Sequence, residues 1–365
     1  MPDNVAQRVD HHQRIAIVLF NLGGPDRPEA TRPFLLNLFR DPAILRVPFF
    51  IRPLLAWWIA RARVAPATAN YALLGGKSPL LEETRQQAEA LEQALPQAAS
   101  GFAAKCFIAM RYWHPFSDEA VREVQAWQPD RILLLPLYPQ YSTTTTGSSL
   151  TAWREAAARA GLAVSTTVLC CYFEDDRYVR SITDRLRNEY TAARAKLSAG
   201  LKLRVLFSAH GLPETIVRRG DPYQFQIERT AEAVMRAWGD PDIDWTVCYQ
   251  SRATPQKWLD PSTEAEIERA AHDRVAVLVV PIAFVSEHSE TLVELDVEYR
   301  DLAEKLGVTG YFRLPTPNAD PDFIIALAHL AQATLGNGPG LCSYASGRAC
   351  PDRHTACPLR RSRDR

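Results

Sequence analysis

Seven short, nearly continuous apolar runs recur along the chain: RIAIVLFN, AKCFIAM, RILLLPLY, AVSTTVLCCYF, LRVLFSAH, DWTVCYQ and RVAVLVVPIAF. A strand that is apolar on both faces must be covered on both faces. Parallel sheets flanked by helices supply that cover. Between the runs lie stretches with amphipathic helical spacing, among them LEETRQQAEALEQAL, SDEAVREVQAW, DRYVRSITDRLRNEYTAARAKL and YQFQIERTAEAVMRAW. The alternation predicts an α/β protein built on doubly wound parallel sheets.

An internal echo suggests two such halves. IAIVLFNLGGP and LRVLFSAHGLP each run from an apolar strand into a loop bearing glycine and proline. The length of 365 residues accommodates two domains. We expect a tail over residues 1–13, a first domain over 14–175, a second over 176–335 and an extension over 336–365. That extension is rich in Gly, Arg and Cys without periodicity, and by itself reads as disordered.

Composition excludes several classes of function. Lys plus Arg equals Asp plus Glu at 42 each, so no overall field favours nucleic acid or an anionic membrane. The first residues lack an apolar core for a secretory signal. The most hydrophobic stretch, VPFFIRPLLAWWIARARVAP, is interrupted by Arg52, Pro53, Arg61 and Arg63 and does not read as a spanning helix. A cytoplasmic protein with reduced thiols is expected. Neither GxGxxG nor GxxxxGK[ST] occurs, which removes the fingerprints of nucleotide binding, and there is no serine elbow and no HExxH.

In open α/β sheets, ligands sit beyond the carboxyl ends of the strands. His210 stands there, closing LRVLFSAH, and Pro213 biases the next residues away from helix. After RVAVLVVPIAF comes VSEHSETLVELDVEY, with Glu287, Glu290, Glu294 and Glu298 at spacings of three and four. On a helix they form one column beside a stripe of Leu292, Leu295 and Tyr299. Such a column is either a solvated face or, leading from a strand end, a path for hard cations or protons. Two further strand ends carry Tyr138, Gln140 and Tyr141, and Arg111, Tyr112, Trp113 and His114. Aromatics with one cation suit a flat, apolar ligand bearing carboxylates.

Taken in order, FNLGGP, YALLGGKSPL, RYWHP, LLPLYPQYSTTTTGSS, FSAHGLP, CYQSRATPQKWL and PIAFVSEHSETLVELDVEY strongly resemble ferrochelatase, from about Ile15 to Ala331. The resemblance implies two Rossmann-like domains around a porphyrin cleft, with Fe²⁺ inserted into protoporphyrin IX as two protons leave. It implies His210 and Glu290 as catalytic and metal-handling groups facing each other across the porphyrin, with Glu287 and Glu294 on an acidic path along the Glu290 wall. It further implies porphyrin contacts at Leu22, Arg111, Tyr112, Tyr138, Trp258 and His288. Residues 47–66 match the family's lip around the pocket mouth, whose Trp57, Trp58 and phenylalanines would cover porphyrin and touch a membrane surface, the inner membrane by expectation. A monomer or homodimer is expected, with no cofactor needed for the chemistry and no nucleic-acid partner.

Coproporphyrin as substrate, a sister chelatase for cobalt or another tetrapyrrole, and a non-catalytic carrier are the alternatives. The chain also departs from the pattern. Many cluster-bearing members have a cysteine where this chain has Thr143, and a tighter C-terminal cysteine group than Cys342, Cys350 and Cys357. A 2Fe–2S cluster on these three would take its fourth ligand from Cys106, Cys170, Cys171 or Cys248.

Overall fold

The computed structural model describes residues 13–95, 102–252 and 256–359. Residues 1–12 of the expected N-terminal tail, residues 253–255 of the CYQSRATPQKWL motif and residues 360–365 lie outside them. The first half comprises β1 (Gln13–Asn21), α1 (Thr31–Arg40), α2 (Arg52–Leu73), α3 (Leu80–Ala94), β2 (Phe102–Met110), α4 (Ser117–Trp127), β3 (Arg131–Pro136), α5 (Thr146–Ala160) and β4 (Ser165–Leu169). Then follow α6 (Asp176–Lys196), β5 (Leu203–His210), α7 (Glu214–Arg218), α8 (Tyr223–Trp238), β6 (Trp245–Gln250), α9 (Thr263–Asp273) and β7 (Ala276–Pro281). A π-helix (Glu290–Glu298) runs directly into α10 (Tyr299–Lys305), followed by β8 (Tyr311–Arg313), α11 (Pro321–Gly336) and β9 (Gly340–Cys342).

Both sheets are wholly parallel, ordered β2-β1-β3-β4-β9 and β6-β5-β7-β8. Each order reverses beside its first strand, between β1 and β3 and between β5 and β7. A crevice opens outside the strand ends at such a reversal. His210 ends β5, and the segment leading to Glu290 follows β7. The sequence therefore delivers both groups to one switch point.

The sheets share a single core. Ile17, Leu19, Leu133 and Leu135 of the first are continuous with Val205, Phe207, Leu278 and Val280 of the second, each at most 2% exposed. Gln87 of α3 crosses between the halves. Its amide donates to the carbonyls of Val285 (2.8 Å) and Asn318 (3.0 Å) and accepts from Ser286 Oγ (2.9 Å). Gln140 similarly reaches Thr230 Oγ1 at 3.1 Å. All these groups are buried apart from Asn318, which is half-buried, so the seam leaves little freedom between the halves.

The extension is ordered as far as it is described, which corrects the expectation of a disordered segment. Thr167, Val168 and Leu169 pair with Gly340, Leu341 and Cys342, making β9 the edge strand of the first sheet. Beyond it, Tyr344, Cys350, Cys357 and Leu359 pack with Phe173 and Phe225. These apolar groups are too widely spaced to show periodicity, but together they cover one patch. β4 is also shorter than its apolar run, because Cys170–Phe173 turn out of the sheet and bury against that extension. Phe173→Ala should lower stability by about 3–5 kcal/mol, as for other buried phenylalanines. Its fully buried ring meets both Phe225 and Tyr344, so limited proteolysis near Gly336 should accelerate alongside the loss in denaturant midpoint.

Candidate active site

His210 is held by its backbone from both sides. Its carbonyl accepts from Tyr223 Oη at 3.1 Å, and Gly211 N–H donates to the Gln250 carbonyl at 2.8 Å. A Cβ at position 211 would stand 2.8 Å from that carbonyl and 3.3 Å from the Trp258 ring, so only glycine allows this approach. Leu212 and Glu214 bond to Leu259 and Lys257 on either side of Trp258. Trp258 thus lies buried behind the histidine loop and braces it.

The π-helix brings up the other half of the site. Its wider turn, bonded i to i+5, is a rare form that is frequent at functional sites. Glu290 Oε2 lies 3.2 Å from His210 Nδ1 and 3.6 Å from His288 Nε2, which corrects the expectation that a porphyrin passes between His210 and Glu290. The first contact is ionic rather than an aligned hydrogen bond, since Nδ1 has no partner in hydrogen-bonding geometry. With Nδ1 turned to Glu290, the opposite ring nitrogen Nε2 is left for a third party. His288 is buried and packed against Phe284, with ring centroids 4.6 Å apart and ring planes tilted by 57°.

Electrostatics follow from this arrangement. Burial alone would push the His210 imidazole down, but the Glu290 charge, helped by Glu294, holds it above its usual value. Burial pushes Glu290 up, yet His210 and His288 together keep it far below the ordinary carboxylate range. Both side chains are about a third exposed (35% and 30%), so water tempers burial and the charge pairing prevails. Glu294 goes the other way. Burial and the Glu290 charge raise it, against donors Gln250 Nε2 (3.0 Å) and Ser251 Oγ. Its second oxygen accepts from Tyr299 Oη at 3.1 Å.

The acidic run does not form one column. Glu290 and Glu294 share the site, but Glu287 precedes the helix and is paired with buried Arg313 at 2.9 Å. Burial raises Glu287, and Arg313 more than offsets this. Glu298 faces the C-terminal part of α2 instead, accepting from Asn70 Nδ2 at 3.2 Å.

The remaining expected contacts lie on the first half. Leu22, at the end of β1, is half-buried and accepts from Tyr112 N–H at 2.9 Å. Tyr112 is fully buried, and Arg111 pairs with Asp41 at 2.7 Å. Tyr138 follows β3, and burial drives its hydroxyl up beside Ser149 and Arg111. A groove of about 500 Å³ and mixed charge runs along α4 and α5, lined by Arg111, His114, Arg122 and Glu155. Its lining includes neither His210 nor Glu290. Sequence reading missed Asp41, Gln87 and Gln250. Gln250 alone carried a signal, as a polar residue closing an apolar strand.

Cys170, Cys171, Cys350 and Cys357 share one buried cluster, and Cys342 joins them through its carbonyl, which accepts from Cys170 N–H at 2.8 Å. All five thiols are free. Cys350 and Cys357 interact, with Cys357 drawn below the ordinary thiol value and Cys350 pushed above it. Cys106 and Cys248 lie in β2 and β6, packed in other parts of the core. Thr143 is engaged elsewhere, donating to Asp221 at 2.7 Å. Among the described residues, no three or more His, Cys, Asp or Glu are arranged to hold a metal ion.

The fold is shared with a solved structure from another protein. SirB from Bacillus subtilis, solved with Fe³⁺, superposes with a TM-score of 0.50 over 89% of this chain and 96% of its own, at 13% identity. The family model described as Ferrochelatase matches residues 14–335. Relatives named Ferrochelatase include those of Caulobacter vibrioides, 52% identical over 95% of this chain and 98% of that one, and Phenylobacterium zucineum, 49% identical over 94% and 100%. The chain belongs to the ferrochelatase family.

Glu290→Gln should move the acid limb of the kcat/KM profile for metal insertion to lower pH. The amide keeps the shape but removes the charge that raises His210, so burial then lowers the imidazole and it turns neutral at a lower pH. A pH series with zinc as the inserted metal reads the shift.

Proposed function

We propose that this protein inserts Fe²⁺ into protoporphyrin IX, with His210 as the base that removes pyrrole protons. The observation that carries the reading is the His210–Glu290 pair at a switch point. Insertion exchanges two pyrrole N–H protons for four nitrogen–iron bonds, and the metal keeps its oxidation state. His210 Nε2, unopposed in the cleft, takes a proton, and Glu290 stabilises the imidazolium that forms. His288 braces Glu290 from its other side. Glu294, with a raised affinity for protons, provides the next acceptor along the π-helix.

Loss of a general base typically costs about 10²–10⁴-fold in rate. His210→Ala should therefore lose insertion by that order while still quenching porphyrin fluorescence on binding. Anaerobic turnover of protoporphyrin against coproporphyrin, with Fe²⁺, tests the substrate. Preference for coproporphyrin would make this a coproporphyrin ferrochelatase, and binding of either without turnover would make it a carrier.

The lip supports a peripheral membrane contact. Phe49, Phe50, Leu54 and Trp58 are exposed at 79%, 70%, 63% and 58%, beside Arg61 and Arg63. An apolar face with flanking arginines suits the acyl–headgroup boundary, from which an apolar porphyrin would be drawn. No described helix is long and apolar enough to cross a membrane.

The gathering of thiols at the extension supports a 2Fe–2S cluster there, although the described thiols are not arranged around a metal position. Cys342, Cys350 and Cys357 with Cys170 or Cys171 would hold it, since Cys170, Cys171, Cys350 and Cys357 share one buried cluster, Cys342 adjoins it through its backbone, and Cys106 and Cys248 pack in other parts of the core. Such a cluster would supply a covalent cross-link between the extension and the first sheet. Anaerobically purified protein should be reddish-brown, with acid-labile sulfide, and Cys350→Ser should lose colour and stability together. Colourless protein lacking sulfide would remove the cluster.

A further inference from the structure

We propose that Asp41 is a positioning residue for porphyrin capture, fixing the root of the lip to the floor of the mouth. The inference rests on the porphyrin-chelatase reading and extends it to a residue outside the His210–Glu290 centre. Asp41 follows the last residue of α1, where the chain leaves that helix for the lip, and it is only 4% exposed. Its Oδ2 receives Arg111 Nη2 at 2.7 Å, Tyr112 Oη at 2.9 Å and Ser148 Oγ. Its Oδ1 accepts the Ala43 N–H at 2.7 Å, which turns the chain into the lip. Arg111 Nε closes the set on Ser148 Oγ at 2.6 Å.

Four donors from three separate segments therefore converge on one carboxylate: the lip root, the end of β2 and the first turn of α5. Burying a charge is costly, and an apolar contact of equal volume would serve stability as well. What the ion pair adds is direction, because each donor is held at a set angle. The consequence reaches the lip through Tyr112. Its ring belongs to the cluster formed with Phe34 and Leu35 of α1 and Ala60 of α2, against which Val64 also packs. Asp41 thus fixes the height of α2 over the mouth, while the catalytic pair sits on the other sheet and is untouched.

The test is a double-mutant cycle on the full-length protein, with anaerobic initial rates for zinc and protoporphyrin IX. Asp41→Asn keeps the shape and removes the charge. It should raise the porphyrin KM about tenfold, the scale of a lost hydrogen bond to a charged group, with kcat within about threefold. Tyr112→Phe should move KM the same way by less, and the double variant should be less than additive. Ser148→Ala, which removes a single donor, provides a milder second variant should Asp41→Asn fold poorly. An unchanged KM in the folded variants, a fall in kcat at constant KM, or strict additivity would each overturn the proposal. Wild-type protein that inserts no metal would overturn the chelatase reading and this inference with it, whereas active wild type with unaltered Asp41→Asn overturns the positioning role alone.

Discussion

Gln87 reaches out of a helix of the first half and places both ends of its amide on the chain just ahead of the π-helix, in the second. An unmet buried donor or acceptor costs about 1–3 kcal/mol, so these bonds are hard to trade for others. Gln140 makes a like crossing, and Gln226 adds a third, accepting from Tyr141 N–H at 2.7 Å while donating to Cys350 Sγ at 3.1 Å. Together these side chains hold the spacing between the two halves. The approach of the two halves and the seating of the extension depend on the seam.

The charge relation at the centre then follows with little further adjustment. One carboxylate between two imidazoles is driven to stay ionised, and in turn raises the imidazole that faces the cleft. The next carboxylate along the helix is pushed toward its neutral form. Neighbouring groups with opposed proton affinities on a short track are what a reaction releasing protons requires.

Much of this was legible in the sequence. β5, α4 and α8 coincide with their apolar or amphipathic runs, because period and length agree there and nothing competes. His210 and Glu290 were legible as strand-end groups. The acidic run was less so, since spacing alone cannot say that Arg313, from β8, would claim Glu287, or that the helix would widen to a π-turn. β8 and β9 are three residues each and carry too little pattern to show. Asp41 was invisible for another reason: its partners are distant in sequence and meet only in the folded chain.

The pairing of β9 with β4 has a consequence for synthesis. In a chain made from its N-terminus, the first sheet gains its outermost strand only after almost half the chain has followed β4. Until then β4 presents an open row of backbone donors and acceptors, with Phe173 and the paired cysteines uncovered beside it. The nascent first domain is therefore a sticky, oxidisable intermediate, and the late extension is the piece that retires that hazard.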